Sequence, residues 1–143
     1  MVDTRTAPYA LLLLRLALGV MFIAHAALKV FVFTVPGFAG FLAQVGMPSF
    51  MALPVILLET FGGVALILGV YSRAVALVLT PVLLGALSVH AGNGWLFTAA
   101  NGGWEYPAFL VIAGLTIVLG GDGALALRPT TLPRSARLAA QPA

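Results

Sequence analysis

The chain contains no cysteine among its 143 residues. Disulfides, thiolate catalysis and cysteine-ligated zinc or iron–sulfur centres are therefore excluded for this chain alone. Any redox role has to use a bound cofactor or a partner subunit. Charge is nearly as scarce: 8% of residues are Asp, Glu, Lys or Arg, with four acidic residues in all, against 62% hydrophobic. A mean hydropathy of +1.11 lies outside the soluble globular range and within that of integral membrane proteins. The basic residues do not cluster with aromatic side chains, which argues against a nucleic-acid footprint. No internal repeat stands out, and the length suits one domain.

What the chain does have is long apolar runs. Residues 9–33, YALLLLRLALGVMFIAHAALKVFVF, make one helix that outreaches a hydrocarbon core of roughly 30 Å. Arg15, His25 and Lys29 interrupt the run. An ionisable group at the middle of a membrane helix costs on the order of 2.5 kcal/mol or more, so such groups turn towards protein or water. At about 100° per residue the three fall within about 80° of each other, giving this helix one polar face. Arg5 and Arg15, then LALGVMFI, then Ala24-His25-Ala26 also fit a cleavable signal peptide. The apolar run continues past Ala26 and the remaining chain is equally hydrophobic, so the first helix is expected to stay.

Residues 34–48, TVPGFAGFLAQVGMP, are too short to span a bilayer. Phe38, Phe41, Leu42 and Val45 repeat at helical spacing, which predicts a short amphipathic helix at the interface, stopped by Gly46. Ser49 is the expected N-cap of a second long helix over 50–69, with Pro54 in its first turn and Glu59, Gly62 and Gly63 along it. Tyr71-Ser72-Arg73 reads as a tight turn into a third helix over 74–90, kinked at Pro81. A loop over 92–106 rich in Gly, Asn and aromatics precedes a fourth helix over 104–121. The fold class expected is all-α: an integral membrane four-helix bundle with a short interfacial or re-entrant helix between helices 1 and 2. Its parts are a cytoplasmic lead (1–8), the bundle (9–121) and an exposed, partly disordered cytoplasmic tail (122–143). Arg5, Arg73, Arg128, Arg134 and Arg137 fall on one side of that arrangement and Lys29 on the other, which puts both termini in the cytoplasm.

Polar groups then converge on the outer half of the bundle. His25, Glu59 and His90 are the candidate catalytic acid–base groups, and Lys29, Trp95, Asn101, Trp104, Glu105 and Tyr106 the candidate binding groups, all lining one pocket. Each has a plainer reading. Lys29 with Glu59 is also a structural ion pair, Glu105 is favoured at a helix N-terminus by the helix dipole, and His90 at a helix end also suits an interface. Arg15 sits some 20 Å from Lys29 along the helix and is expected to be a structural charge neutralised by Asp122. No metal is expected. His25 and His90 are offset in depth as haem ligands, and Glu59, Glu105, His25 and His90 lack the Glu-x-x-His spacing of di-iron bundles.

The pattern resembles the DoxX family of small bacterial membrane proteins. The resemblance rests on Arg15-Leu16-Ala17-Leu18-Gly19 leading to His25-x-x-x-Lys29, then Gly46-x-Pro48 and Glu59-x-x-Gly62-Gly63-x-x-Leu66-x-x-Gly69. It ends with Arg73 and Gly120-Gly121-Asp122-Gly123, so it runs from about Leu13 to Leu127. Two departures stand out: Gly121 where the family often has proline, and Ala124-Leu125-Ala126-Leu127 where a Ser-Leu-Asp ending is common. The resemblance implies a four-helix bundle in the bacterial inner membrane. Members are linked to redox processes, including a subunit of a thiosulfate:quinone oxidoreductase and a membrane-associated oxidoreductase complex of oxidative-stress defence. Many have no assigned activity.

The function expected is a membrane component of an oxidoreductase system that binds a quinone or similar lipophilic carrier in the outer half of the bundle. His25, Glu59 and His90 would exchange protons there, Lys29 would hold a carbonyl oxygen or stabilise a semiquinone anion, and Trp95, Trp104 and Tyr106 would stack on the ring. The alternative is a non-enzymatic anchor or assembly factor for soluble redox partners, and a third reading is a small-solute transporter. The expected partners are the lipid bilayer, redox subunits and a second copy of the chain.

Overall fold

The structure, a computed structural model, describes residues 3–130. Five α-helices account for most of them: α1 (Ala7–Phe31), α2 (Val35–Gln44), α3 (Ala52–Leu68), α4 (Ser72–His90) and α5 (Glu105–Gly120). Among the described residues there is no strand, only a single parallel bridge between Val70 and Arg128. Ala7–Phe31, Ser49–Leu68 and Ser72–His90 are each long and apolar enough to cross a membrane. Large apolar side chains such as Leu13, Phe61, Leu77 and Ile112 point outward. This is the surface of a helical membrane protein, whose solvent is lipid.

Local chemistry sets the helix ends. Pro8 sits at the start of α1, where its missing N–H costs nothing. The Thr34 Oγ1 accepts the Gly37 N–H at 3.2 Å and caps α2. Ser49 does not cap the next helix as its sequence position suggested. Extended Pro48 delivers the chain directly into a 3-10 turn, Ser49–Met51, which runs on into α3. Gly69, at φ 69°, ends α3 in the left-handed conformation that glycine adopts without strain. Helix α4 then starts at Ser72 and carries Pro81 inside it.

Helix α1 packs on α3, α4 on α5, and the two pairs meet through α3 with α4 and α1 with α5. The α1–α3 approach depends on facing glycines. A Cβ on Gly19 would lie 2.7 Å from the Gly63 carbonyl, and one on Gly63 would lie 2.8 Å from the Gly19 carbonyl. Leu18, Phe22, Leu66, Leu79, Leu83 and Ile117 fill the centre. Helix α2 lays Phe38 and Leu42 against Ala26, Ala52 and Ile56. The other half of its apolar stripe, Phe41 and Val45, faces outward. Helix α5 runs antiparallel to α1, with Gly120 against Leu11 at one end and Tyr106 against His25 at the other.

The start of the expected tail is partly tied down: Asp122 is buried, while Leu125 and Leu127 are exposed. Residues 122–130 fold back on the helix ends through main-chain bonds. Ala124 N–H donates to Pro8 at 2.8 Å, Leu127 to Leu68 at 3.1 Å and Arg128 to Gly69 at 3.0 Å, while Tyr71 N–H donates to Arg128 at 2.8 Å. Arg134 and Arg137, two of the basic residues used to orient the chain, lie outside the described residues.

Candidate functional site

The close approach at Gly19 and Gly63 brings the polar face of α1 against α3. Lys29 Nζ donates to both Glu59 oxygens, at 2.8 and 2.7 Å, with the two side chains 14% and 6% exposed. It is the one ion pair among the described residues. The ring of Phe38, from α2, lies 5.3 Å from the same ammonium and closes the pair from outside.

His25 is one turn back along α1. Its Nδ1 lies 2.9 Å from the Met21 carbonyl. A carbonyl only accepts, so Nδ1 carries the hydrogen and Nε2 is the acceptor of the neutral ring. The imidazole stacks on Tyr106 of α5, with centroids 6.2 Å apart and planes 24° apart.

The α4–α5 loop builds a second group. Asn101 and Gly102, both in the left-handed region at φ 66° and 76°, turn two carbonyls towards the end of α4. His90 Nδ1 donates to these at 3.1 and 3.0 Å, and Asn93 Nδ2 donates to the same two at 3.1 and 3.0 Å. Trp104 N–H and Glu105 N–H return to the carbonyls of Gly94 and Trp95, each at 3.1 Å. Glu105 Oε1 accepts the Phe97 N–H at 2.8 Å. Trp95 and Trp104 meet edge to face, 4.4 Å between centroids. Gly103 is required here, because a Cβ would collide with the carbonyls of Trp95 and Leu96. The loop and α5 frame an open groove of about 830 Å³ whose walls include His90, Trp95, Phe97, Glu105, Tyr106 and Phe109.

The single pocket expected from the sequence is thus two groups joined at one residue. His25, Lys29, Glu59 and Tyr106 are together; Asn101, Trp95 and Trp104 of the loop group with His90 at the end of α4 and Glu105 at the start of α5. Tyr106 belongs to both, lining the groove and stacking on His25. Asn101 takes part through its carbonyl, and Trp104 packs behind Trp95 rather than on the groove wall. Lys29 gives two of its three ammonium hydrogens to Glu59, the structural pairing also expected from the sequence. Asn93 was missed. Its signal was a Gly-Asn-Gly sequence at a helix end, which reads only as a turn.

At the opposite end, Arg15 and Asp122 are both buried but form no ion pair. Arg15 Nη2 donates to the Ala124 carbonyl at 3.1 Å, while Nε and Nη1 have no partner. Asp122 instead accepts the Ser72 N–H at 2.6 Å, at the N-terminus of α4, and the Thr130 N–H and Oγ1 at 2.8 and 3.1 Å. The orphan Ser72 amide at the start of α4, together with Thr130, outcompetes the guanidinium for this carboxylate. Burial pushes the Asp122 carboxyl up, but the hydrogen bonds from Thr130 and Ser72 outweigh it and hold it below the usual carboxylate range. Among the described residues no three His, Asp or Glu side chains are grouped to hold a metal ion.

A profile of the DoxX family matches residues 10–92. The chain is 30% identical over 118 residues to the protein named "Putative oxidoreductase CatD" of Bacillus subtilis (strain 168), covering 82% of this chain and 84% of that one. It is 34% identical over 122 residues to an uncharacterized protein of Haemophilus influenzae, covering 84% of this chain and 89% of the relative. No solved structure matches.

Proposed function

The chain belongs to the DoxX family, and from that premise we propose that it is the membrane component of an oxidoreductase system, holding a quinone or similar lipophilic carrier in the groove beside Tyr106. The observation that carries this reading is the double position of Tyr106. One ring lines an aromatic-walled groove and stacks on His25, next to the buried Lys29–Glu59 pair. Interconversion of quinone and quinol moves two protons with two electrons, and acid–base groups at membrane depth supply the proton exchange. In this arrangement His25, Glu59 and His90 exchange protons and Trp95 and Tyr106 flank the ring. Lys29 acts through Glu59. The electrons come from a partner redox subunit or a cofactor bound with it, since the chain has no cysteine. The printed name of the Bacillus relative agrees with an oxidoreductase association.

Helix α5 is the fourth crossing of a four-helix bundle. Its 16 residues cover about 24 Å, and its ends match α1 from Leu11 to His25. Helix α2 then lies at the outer interface. Arg5, Arg73 and Arg128 gather at the end opposite Lys29, so both termini face the cytoplasm of a bacterial inner membrane. The lead (1–8), bundle (9–121) and cytoplasmic segment (122–143) are its parts, with 122–130 packed on the bundle end.

The test compares carrier binding and reduction or oxidation in wild type, Glu59→Gln and His25→Ala. Both variants are expected to lose activity, and unchanged values in all three would end the proposal. One observation favours a second reading, an anchor for soluble redox partners. Lys29 satisfies both Glu59 oxygens, as a purely structural pair would. That reading expects soluble proteins to co-purify and no carrier to bind.

A further inference from the structure

The oxidised and reduced forms of such a carrier differ in one respect that the groove can read: a quinone presents two carbonyl acceptors, its hydroquinone two hydroxyl donors. Resting on the carrier reading above, we propose that the groove selects the hydroxyl-bearing, reduced form, with His90 as the residue that discriminates. His90 lines the groove, and its Nδ1 lies 3.1 and 3.0 Å from the carbonyls of Asn101 and Gly102. Both carbonyls can only accept, so Nδ1 holds the ring hydrogen and the neutral imidazole has only the Nε2 lone pair left to offer a ligand. Asn93 donates to the same carbonyls, but the tautomer follows from His90's own bonds to them.

Glu105, also on the wall, receives the Phe97 N–H on Oε1. A carboxylate has nothing to donate, and Oε2 takes no hydrogen bond among the described residues. His90 and Glu105 therefore each have lone pairs left for a ligand in the groove. A quinone carbonyl set against them would leave acceptors facing acceptors, whereas a hydroquinone O–H pairs with either. Trp95 and Tyr106 also line the wall. The first donates and the second does either, so together they tolerate both forms without reversing the preference.

The experiment measures binding of decylubiquinol and decylubiquinone to the full chain in nanodiscs, under nitrogen and at pH 8. One hydrogen bond of discrimination makes the reduced form bind about tenfold tighter. His90→Phe, which keeps a flat ring and removes both nitrogens, brings the two affinities to within about twofold. Asn93→Ala disturbs the same turn while leaving the His90 ring, and keeps the preference. The proposal is overturned if wild type binds the quinone as tightly as the hydroquinone, if His90→Phe keeps the preference, or if Asn93→Ala loses it as fully as His90→Phe. The wild-type comparison needs no variant, so a His90→Phe chain that fails to fold does not shield it. If wild type binds neither form, the carrier reading itself fails, and this inference with it.

Discussion

Lys29 Nζ reaches both carboxylate oxygens of Glu59, at 2.8 and 2.7 Å, and so ties α1 to α3 one turn beyond the point where Gly63 lets the two helices touch. Removing one member strands the other in a dry setting, a loss of about 3 kcal/mol or more. Glu59→Gln is expected to lower the thermal midpoint in detergent, and the exchange Glu59→Lys with Lys29→Glu to restore part of it. An exchange variant no more stable than Glu59→Gln would show that the pair does not act as a pair.

Gly69 carries two demands at once. Its φ of 69° favours glycine, and a Cβ would collide with the Arg15 guanidinium and the backbone of Ala126. The conformational part alone costs about 1 kcal/mol, and the collision adds to it. Gly69→Ala should therefore be clearly less stable than wild type by thermal melting. Arg15→Met removes the obstructing group together with two unpartnered buried nitrogens. The double variant is then expected to be more stable than the sum of the two single effects, the sign of residues in contact.

Asp122 gives a pH dependence with a definite sign. Its carboxyl is held below the usual range in the folded chain, where Thr130 and Ser72 donate to it. A lowered folded value means that the contribution is complete above the unfolded value of about 3.9 and disappears as pH falls through the folded one. Hydrogen bonds to a charged group are worth about 2 kcal/mol together, net of desolvation. Wild type should exceed Asp122→Asn in thermal midpoint between pH 5 and 7, with the gap narrowing as the pH falls below the unfolded value of about 3.9. A gap that stays constant with pH would refute the assignment.

The apolar runs and the Lys29–Glu59 match were legible because lipid punishes unpaired charge, leaving few places for the four acidic residues to go. Other features left no such trace. The outward turn of Phe41 and Val45 could not be told from the inward turn of Phe38 and Leu42, since lipid and protein core are equally apolar. The fold-back over 122–130 rests on main-chain bonds, such as Leu127 to Leu68, that any side chain permits. Asp122 was matched to Arg15 by charge, yet it took amides of Ser72 and Thr130, which a sequence does not advertise. The link between Tyr106 and His25 needed the register of α5 against α1, and a helix apolar all round does not reveal it.

Gly103 offers a test of the loop that spares the helices. A Cβ there would meet the carbonyls of Trp95 and Leu96, so Gly103→Ala has to push apart the two sides of the turn that Trp104 and Glu105 close onto Gly94 and Trp95. The loop lies outside the central core of Leu18, Phe22, Leu66 and Ile117, so helix content by far-ultraviolet dichroism should be unchanged. Both tryptophans of the chain are in this loop, in edge contact at 4.4 Å. Near-ultraviolet dichroism therefore reads their packing with no background from other indoles, and that signal is expected to collapse in Gly103→Ala. Carrier affinity should fall at least about tenfold with it, because His90, Trp95 and Glu105 lose their common frame. Intact indole dichroism in the variant would mean that the turn absorbs the methyl group and that Gly103 is not what shapes the groove.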